Sequence, residues 1–113
     1  MERNKREYNL ERYLSSGTIS VNEDAIPLLG AKEALFHAWM CKVRDFFLIT
    51  EREQFVAFTY AVRKIGKHLA MSNQEVIKSS QRLETLGLLK RKKIRGSWSY
   101  RVFPISFLFI DLN

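Results

Sequence analysis

Residues 69–91 read LAMSNQEVIKSSQRLETLGLLKR, and this stretch carries both ends of one helix. Ser72 and Glu75 form a capping box: the serine hydroxyl accepts the Glu75 backbone N–H, and the glutamate side chain accepts the Ser72 N–H. Gly87 stands where a left-handed residue commonly ends a helix, and Leu88 can pack back on the last turn. The small or apolar stripe between these ends is Val76, Ser79 or Ser80, Leu83 and Leu86. This spacing predicts a helix over about 73–86.

After Gly87 the sequence pattern changes from helical spacing to alternation. Apolar and polar side chains alternate from Trp98 to Val102, and Gly96 separates this run from residues 88–94. This pattern predicts a β-hairpin with its turn near Gly96, which Pro104 closes. Five cations lie within six positions of this hairpin: Lys90, Arg91, Lys92, Lys93 and Arg95. Strand alternation divides them between the two faces of the hairpin.

The chain before residue 69 predicts two more helices and one short strand. Apolar residues recur at i, i+3, i+4 and i+7 from Ala31 to about Phe47, which predicts a long amphipathic helix. Residues 51–54 predict a solvated loop, and residues 55–58 suit a single strand.

A second helix is predicted from Tyr60 to Leu69, with Thr59 as its N-cap. Gly66 lowers the helix propensity of that segment by up to ~1 kcal/mol. The turn at residues 70–72 has the length that lets two helices cross steeply.

The length and composition describe one folded domain. The chain has 113 residues, of which 46% are hydrophobic and 27% are charged, as in an ordinary globular protein. Cys41 is the only cysteine, and no apolar run is long enough to span a bilayer. The N-terminus lacks the apolar stretch of a signal peptide. We therefore expect a cytoplasmic protein with no membrane partner.

The two halves of the chain differ in charge. Residues 1–56 hold eight basic and nine acidic side chains, whereas residues 57–113 hold eleven basic and three acidic ones. The total is +7, and nearly all of the excess lies between Arg63 and Arg101. A basic half beside a balanced half is typical of a protein with one face for a polyanion.

The order helix, strand, helix, turn, helix and hairpin over residues 30–103 resembles a winged-helix domain. The most specific part is Leu69–Val76 followed by Arg82–Arg91, which is similar to many bacterial and phage winged-helix DNA-binding domains. Met71 stands where that pattern commonly has leucine. The stretch from Ile19 to Leu35 is also similar to the start of winged-helix domains in plasmid and phage replication initiators. The expected fold class is mainly α with a small β-hairpin (α+β), a winged helix-turn-helix.

The resemblance implies that the helix at 73–86 enters a major groove and that the hairpin is the wing. Asn and Gln can pair with adenine, Lys with guanine, and an exposed Ile can touch a thymine methyl. The predicted base-reading residues are Asn73, Gln74, Ile77, Lys78 and Gln81. Phosphate contacts are expected from the five hairpin cations. Further candidates for contact with DNA are Lys64, Lys67 and Ser72.

The predicted function is sequence-specific binding of double-stranded DNA without catalysis. The protein would serve as a transcriptional regulator or as the origin-binding module of a DNA replication system. The predicted organisation is an N-terminal extension or arm over 1–24, a winged-helix domain over 25–104, and an apolar segment over 105–113. That last segment either docks on the core or forms a homodimer. The alternatives are a winged-helix protein adaptor and a single-strand or RNA binder.

Other chemistry has weaker support in the sequence. His37, Cys41 and Asp45 share one helical stripe, which would suit a metal ligand set or an activated thiol. A tetrahedral metal site needs further ligands, and His68 is the only other histidine. Trp98 and Tyr100 could instead stack on unpaired bases, with Arg95 and Arg101 on the backbone. We expect no enzyme activity, no metal, no cofactor and no small-molecule substrate.

Overall fold

The computed structural model describes residues 18–51 and 57–106. Predictions for residues 1–17, the loop at 52–54 and the C-terminal segment beyond 106 lie outside the described residues. The described part is an α+β fold, as expected, with four helices and a three-stranded antiparallel sheet. Its elements are α1 (Ala25–Leu29), α2 (Ala31–Glu51), β1 (Ala57–Thr59), α3 (Val62–Leu69), α4 (Asn73–Thr85), β2 (Leu89–Ile94) and β3 (Ser97–Val102).

The first two helices differ from the prediction at their limits. The short helix α1 was not predicted, because Pro27 was interpreted only as a break; proline is tolerated in the first turn of a helix. Gly30, with φ of 94°, separates α1 from α2. Helix α2 continues through Glu51, one turn beyond the predicted end at about Phe47 and one residue into the predicted loop. Glutamate is a good helix former, so the sequence offers no strong stop there.

A tight turn joins α3 to α4. Thr59 is the last residue of β1, and Ala61 is the N-cap of α3, so the predicted Thr59 cap was wrong. Ala70 has a left-handed φ of 54°, and the Met71 N–H donates to the Gly66 carbonyl over 2.9 Å. A Cβ on Gly66 would stand 2.4 Å from the Met71 carbonyl oxygen. The glycine that weakens the helix propensity is therefore required by the close approach of the turn.

Helix α4 has the predicted start and stop. Ser72 Oγ accepts the Glu75 N–H over 3.1 Å, and Glu75 Oε1 accepts the Ser72 N–H over 3.0 Å. Gly87 has φ of 79°, and the Leu88 N–H donates to the Leu83 carbonyl, as a Schellman ending requires. Leu86 lies just past the helix and is 37% exposed, so it does not belong to the buried stripe.

The sheet has the strand order β1–β3–β2, so β2 forms one edge. Ile94 pairs with Ser97 across a two-residue turn, as the prediction near Gly96 requires. Arg95 and Gly96 both have positive φ, of 50° and 83°, which is the type I′ geometry that matches strand twist. In β1, Phe58 pairs with Tyr100 of β3, which joins the short strand to the hairpin.

The core lies between the helices and one face of this sheet. Helix α2 contacts α4 and β3, and α4 contacts β2. The largest fully buried side chains include Trp39, Tyr100, Phe36, Met40 and Ile65. Ile19, Val21 and Ile105 pack against this core from just outside residues 25–104. In the described ranges, none of the helices combines the length and apolar character needed to cross a membrane.

Candidate nucleic-acid interface

One face of α4 is buried and the opposite face is open to solvent. Val76, Ser79, Ser80 and Leu83 are buried, and the Ser80 hydroxyl donates to the Val76 carbonyl over 2.7 Å. The five predicted base-reading residues are all exposed: Asn73, Gln74, Ile77, Lys78 and Gln81. The helix therefore presents amides, one ammonium group and one branched apolar side chain together.

The start of α4 carries an ion pair that sequence reasoning missed. Lys32, near the start of α2, donates to the Glu75 carboxylate. The Lys32 ammonium and the Ser72 N–H lower the pKa of Glu75 to about 2. The carboxylate of the capping box is thus neutralised by a lysine 43 residues away. Nothing in the local pattern around Lys32 predicts this approach.

The five hairpin cations occupy three kinds of position. Lys90 and Lys92 point to the outer face of the sheet, where Lys90 is the cross-strand partner of Arg101. Lys93 lies on the other face, as the cross-strand partner of Trp98, and Arg95 lies in the turn. These four cations are exposed. The division between two faces is the one that strand alternation predicts.

Arg91 differs from the other four cations. Its side chain is 8% exposed, its Nε donates to Glu84 Oε1 over 2.9 Å, and its Nη2 lies 2.8 Å from the same oxygen in an ion pair. The guanidinium carbon lies 4.5 Å from the centre of the Trp98 ring. Arg91 was predicted to contact phosphate, but its charge is already engaged by α4 and Trp98. Arg91 therefore links the hairpin to α4.

The charge on this half of the molecule is one-sided. Residues 57–106 contain eleven Lys and Arg but only two acidic residues, Glu75 and Glu84. Both carboxylates are held in ion pairs, with Lys32 and Arg91. Lys64 and Lys67 of α3 are exposed, as is Ser72 before α4. The described surface from α3 to β3 is therefore cationic.

A groove of about 570 Å³ adjoins β2 on this basic surface. Its lining residues are Glu84, Leu89, Lys90, Arg91, Lys92, Ile94, Ser99 and Arg101. Arg101 was predicted to contact the backbone only in the single-strand alternative, although the hairpin register, Lys90 opposite Arg101, follows from the position of the turn. The alternation of β3 therefore places Arg101 on the same face of the hairpin as Lys90.

The two hairpin aromatic residues face inward. Tyr100 is fully buried against Phe58, with ring centres 5.9 Å apart. Its hydroxyl has no hydrogen-bond partner among the described residues. Trp98 is half-buried, and one face of its ring is covered by Arg91. Stacking of a base on Tyr100 is incompatible with this burial, and Trp98 offers only part of its ring.

The stripe of His37, Cys41 and Asp45 has no feature of an active centre. His37 Nε2 lies 2.7 Å from the Phe103 carbonyl oxygen and donates its proton there, and burial lowers the His37 pKa. Cys41 Sγ lies 3.6 Å from His37 Nε2, and burial raises the pKa of the thiol to about 11. Asp45 pairs with Arg44 at 3.0 Å. The thiol is protonated at neutral pH, so it is a poor nucleophile.

Within residues 18–51 and 57–106, no group of three or more His, Cys, Asp or Glu side chains is arranged to hold a metal ion. Comparisons of the chain with protein-family models, curated proteins and solved structures gave no match.

Proposed function

We propose that this chain is a winged-helix protein that binds double-stranded DNA, with α4 as the recognition helix and the β2–β3 hairpin as the wing. The observation that carries the proposal is a contact. The Glu84–Arg91 ion pair joins the exposed polar helix directly to the basic hairpin. The two elements thus form one continuous cationic surface. The proposed role is non-catalytic, in transcriptional regulation or at a replication origin.

In this proposal the hairpin supplies most of the affinity. Lys90, Lys92, Lys93 and Arg95 are exposed and would neutralise phosphates on both sides of the hairpin. Each neutralised phosphate releases condensed counterions, so affinity falls as salt rises. Lys64 and Lys67 of α3 extend the same basic surface. These contacts fix the position of the protein on the duplex but do not select a sequence.

Sequence preference would come from the exposed face of α4. Asn73, Gln74 and Gln81 carry amides that can pair with adenine, and Lys78 can bond guanine O6 and N7. Ile77 is 38% exposed, so its methyl groups are available to a thymine methyl. With both ends capped, α4 presents these side chains from a fixed backbone.

We further propose that the protein is a cytoplasmic homodimer, so that two recognition helices read two half-sites. The support is the apolar sequence of residues 105–113, a segment of the kind that either docks on the core or pairs with a second chain. Light scattering coupled to size exclusion would give the mass directly. A single 13.3 kDa species at micromolar concentration would contradict the dimer without affecting the DNA proposal.

The test of DNA binding is fluorescence anisotropy with a labelled random-sequence duplex at several salt concentrations. We expect log affinity to fall with log salt at about 0.9 per phosphate contact, with several contacts. An unlabelled single strand should compete poorly. Effective competition by the single strand would favour the single-strand or RNA alternative, and weak binding with no salt dependence would favour an acidic protein partner.

A further inference from the structure

The contact between α4 and the hairpin is built from three side chains. Glu84, in the last turn of α4, accepts a hydrogen bond from Arg91 Nε of β2 at 2.9 Å, and Arg91 Nη2 lies 2.8 Å from the same carboxylate oxygen. The guanidinium lies over the Trp98 ring of β3 at 4.5 Å, and Lys93 Nζ is 5.8 Å from the same ring. One arginine thus contacts the helix through its edge and the hairpin through its flat face.

These contacts lie where the hairpin has little other support. Strand β2 is a sheet edge, and its burial decreases from Leu89, which is 2% exposed, to Ile94, which is 50% exposed. Only the first residue of β2 is buried in the core. Arg91 is the next side chain along the same face, and its 8% exposure continues that anchoring beyond the apolar core.

We infer that Glu84, Arg91 and Trp98 are positioning residues that hold the hairpin at a fixed angle to α4, and that this rigidity makes the surface select duplex over single-stranded DNA. The inference rests on the proposed function. A duplex presents its groove and flanking phosphates at a fixed separation, so a pre-set angle avoids the entropy cost of ordering the hairpin on binding. A single strand adapts to either arrangement.

Two variants test this inference because charge alone predicts something different for each. Glu84→Gln removes a carboxylate and raises the net charge by one, so electrostatics alone would tighten DNA binding. Arg91→Lys leaves the charge unchanged and removes the planar guanidinium that contacts both Glu84 and Trp98. We expect both variants to bind duplex about threefold to thirtyfold more weakly, which lies within the coupling found between residues in one network. Single-strand affinity should change less than twofold, a bound set by unchanged phosphate contacts.

Matched controls exist elsewhere in the chain. Glu23→Gln makes the same change of charge at an exposed site before α1. Arg44→Lys replaces an arginine that also pairs with a carboxylate, Asp45, but on α2. Both controls should keep the duplex-to-single-strand ratio of the parent. Glu84→Gln binding that is tighter than the parent, or an unchanged ratio in both test variants, would overturn the inference.

A measurement without DNA separates the positioning contact from the proposed function. Trp39 is 1% exposed and Trp98 is half-buried, so quenching of tryptophan fluorescence by acrylamide reports mainly on Trp98. We expect both test variants to be quenched more than the parent while melting as folded proteins, and both controls to match the parent. If the parent binds no DNA, the proposed function and the duplex selection fail together. Unchanged quenching would refute the positioning contact itself.

Discussion

Helix α4 and the β2–β3 hairpin are stabilised by contacts that span different separations along the sequence. The capping box of α4 joins residues three positions apart, and its Schellman ending joins Leu83 to Leu88. The base of the hairpin is tied to α2, where His37 donates to the Phe103 carbonyl across 66 residues. Its middle is tied to α4 through Arg91. The helix therefore has local ends, whereas the placement of the hairpin depends on other elements.

This difference bears on how each element would act on DNA. A helix with local caps keeps its conformation when distant contacts change, which suits the reading of base edges. A hairpin placed by distant side chains can shift relative to the helix when those side chains change. Sequence preference and affinity should therefore respond to different mutations.

The largest expected effect tests whether the stability of α4 depends on its local caps alone. Gly66→Ala should stabilise α3 by ~1 kcal/mol if helix propensity alone counted. The new Cβ would instead meet the Met71 carbonyl oxygen at 2.4 Å. We expect a net loss of about 2–3 kcal/mol in the free energy of unfolding, as in overpacked sites. Urea unfolding followed by circular dichroism measures this loss.

Gly96→Ala is the matched control for that substitution. A Cβ on Gly96 meets nothing within 4 Å, but its φ is 83°. The cost should therefore be only the ~1–2 kcal/mol of a left-handed alanine. A Gly66→Ala variant as stable as Gly96→Ala would show that the turn before α4 accommodates the added Cβ at little cost in free energy.

The next effect sharpens the assignment of sequence reading to α4. Gln74→Ala and Lys78→Ala should each weaken binding to the preferred site by roughly 1–3 kcal/mol and relax the preference at one base pair. Selection from a random duplex library, followed by anisotropy on single-base variants of the selected site, measures both. Thr85→Ala, on the same helix past the proposed reading face, serves as the control. Unchanged base preference in both test variants would remove α4 from the reading role.

A smaller effect tests the assignment of affinity to the hairpin. Lys92→Ala should weaken all DNA sequences about equally, and the slope of log affinity against log salt should flatten by about 0.9. Lys92→Arg keeps the charge and should keep the slope. The measurement is anisotropy at four or more salt concentrations. A Lys92→Ala variant with the slope of the parent would place this lysine off the phosphate path.

The smallest effect separates the two regions by pH. Burial lowers the pKa of His37 below its usual 6.5, and Arg44 adds to that shift. As the pH falls, the unfolded chain therefore binds the proton before the folded chain does. The contribution of neutral His37 to the free energy of unfolding is complete above about pH 6.5 and decreases as the pH falls below that value. Glu75, with a pKa of about 2 against a usual 4.5, loses its contribution only between about pH 4.5 and 2. Mild acid should thus weaken the base of the hairpin before the start of α4.

Urea unfolding midpoints of the parent and of His37→Gln, measured at pH values from about 8 to about 5, test the first window. The glutamine amide can still donate to the Phe103 carbonyl but does not titrate in this range. The parent should lose more stability than the variant over this interval. Equal losses would assign the pH dependence to groups other than His37.

Most helix and strand positions were predictable from the sequence because the bonds that define them are short-ranged. The limits of α4 follow from Ser72, Glu75 and Gly87, and the hairpin turn from Gly96. The α+β class follows from the change of pattern after Gly87. The exposure of the five reading-face residues follows from helical periodicity, which places them opposite Val76 and Leu83. DNA binding itself stays a prediction.

Three features could be known only from the tertiary structure. They are the burial of Arg91, the approach of Lys32 to Glu75, and the hydrogen bond from His37 to the Phe103 carbonyl. In the printed sequence Arg91 is one of four consecutive cations, and nothing local marks it as the one that is 8% exposed. Helix α1 and the requirement for glycine at position 66 could not be predicted from the sequence either, because each depends on packing. Contacts between residues tens of positions apart form only when the core brings their elements together, so local patterns carry no record of them.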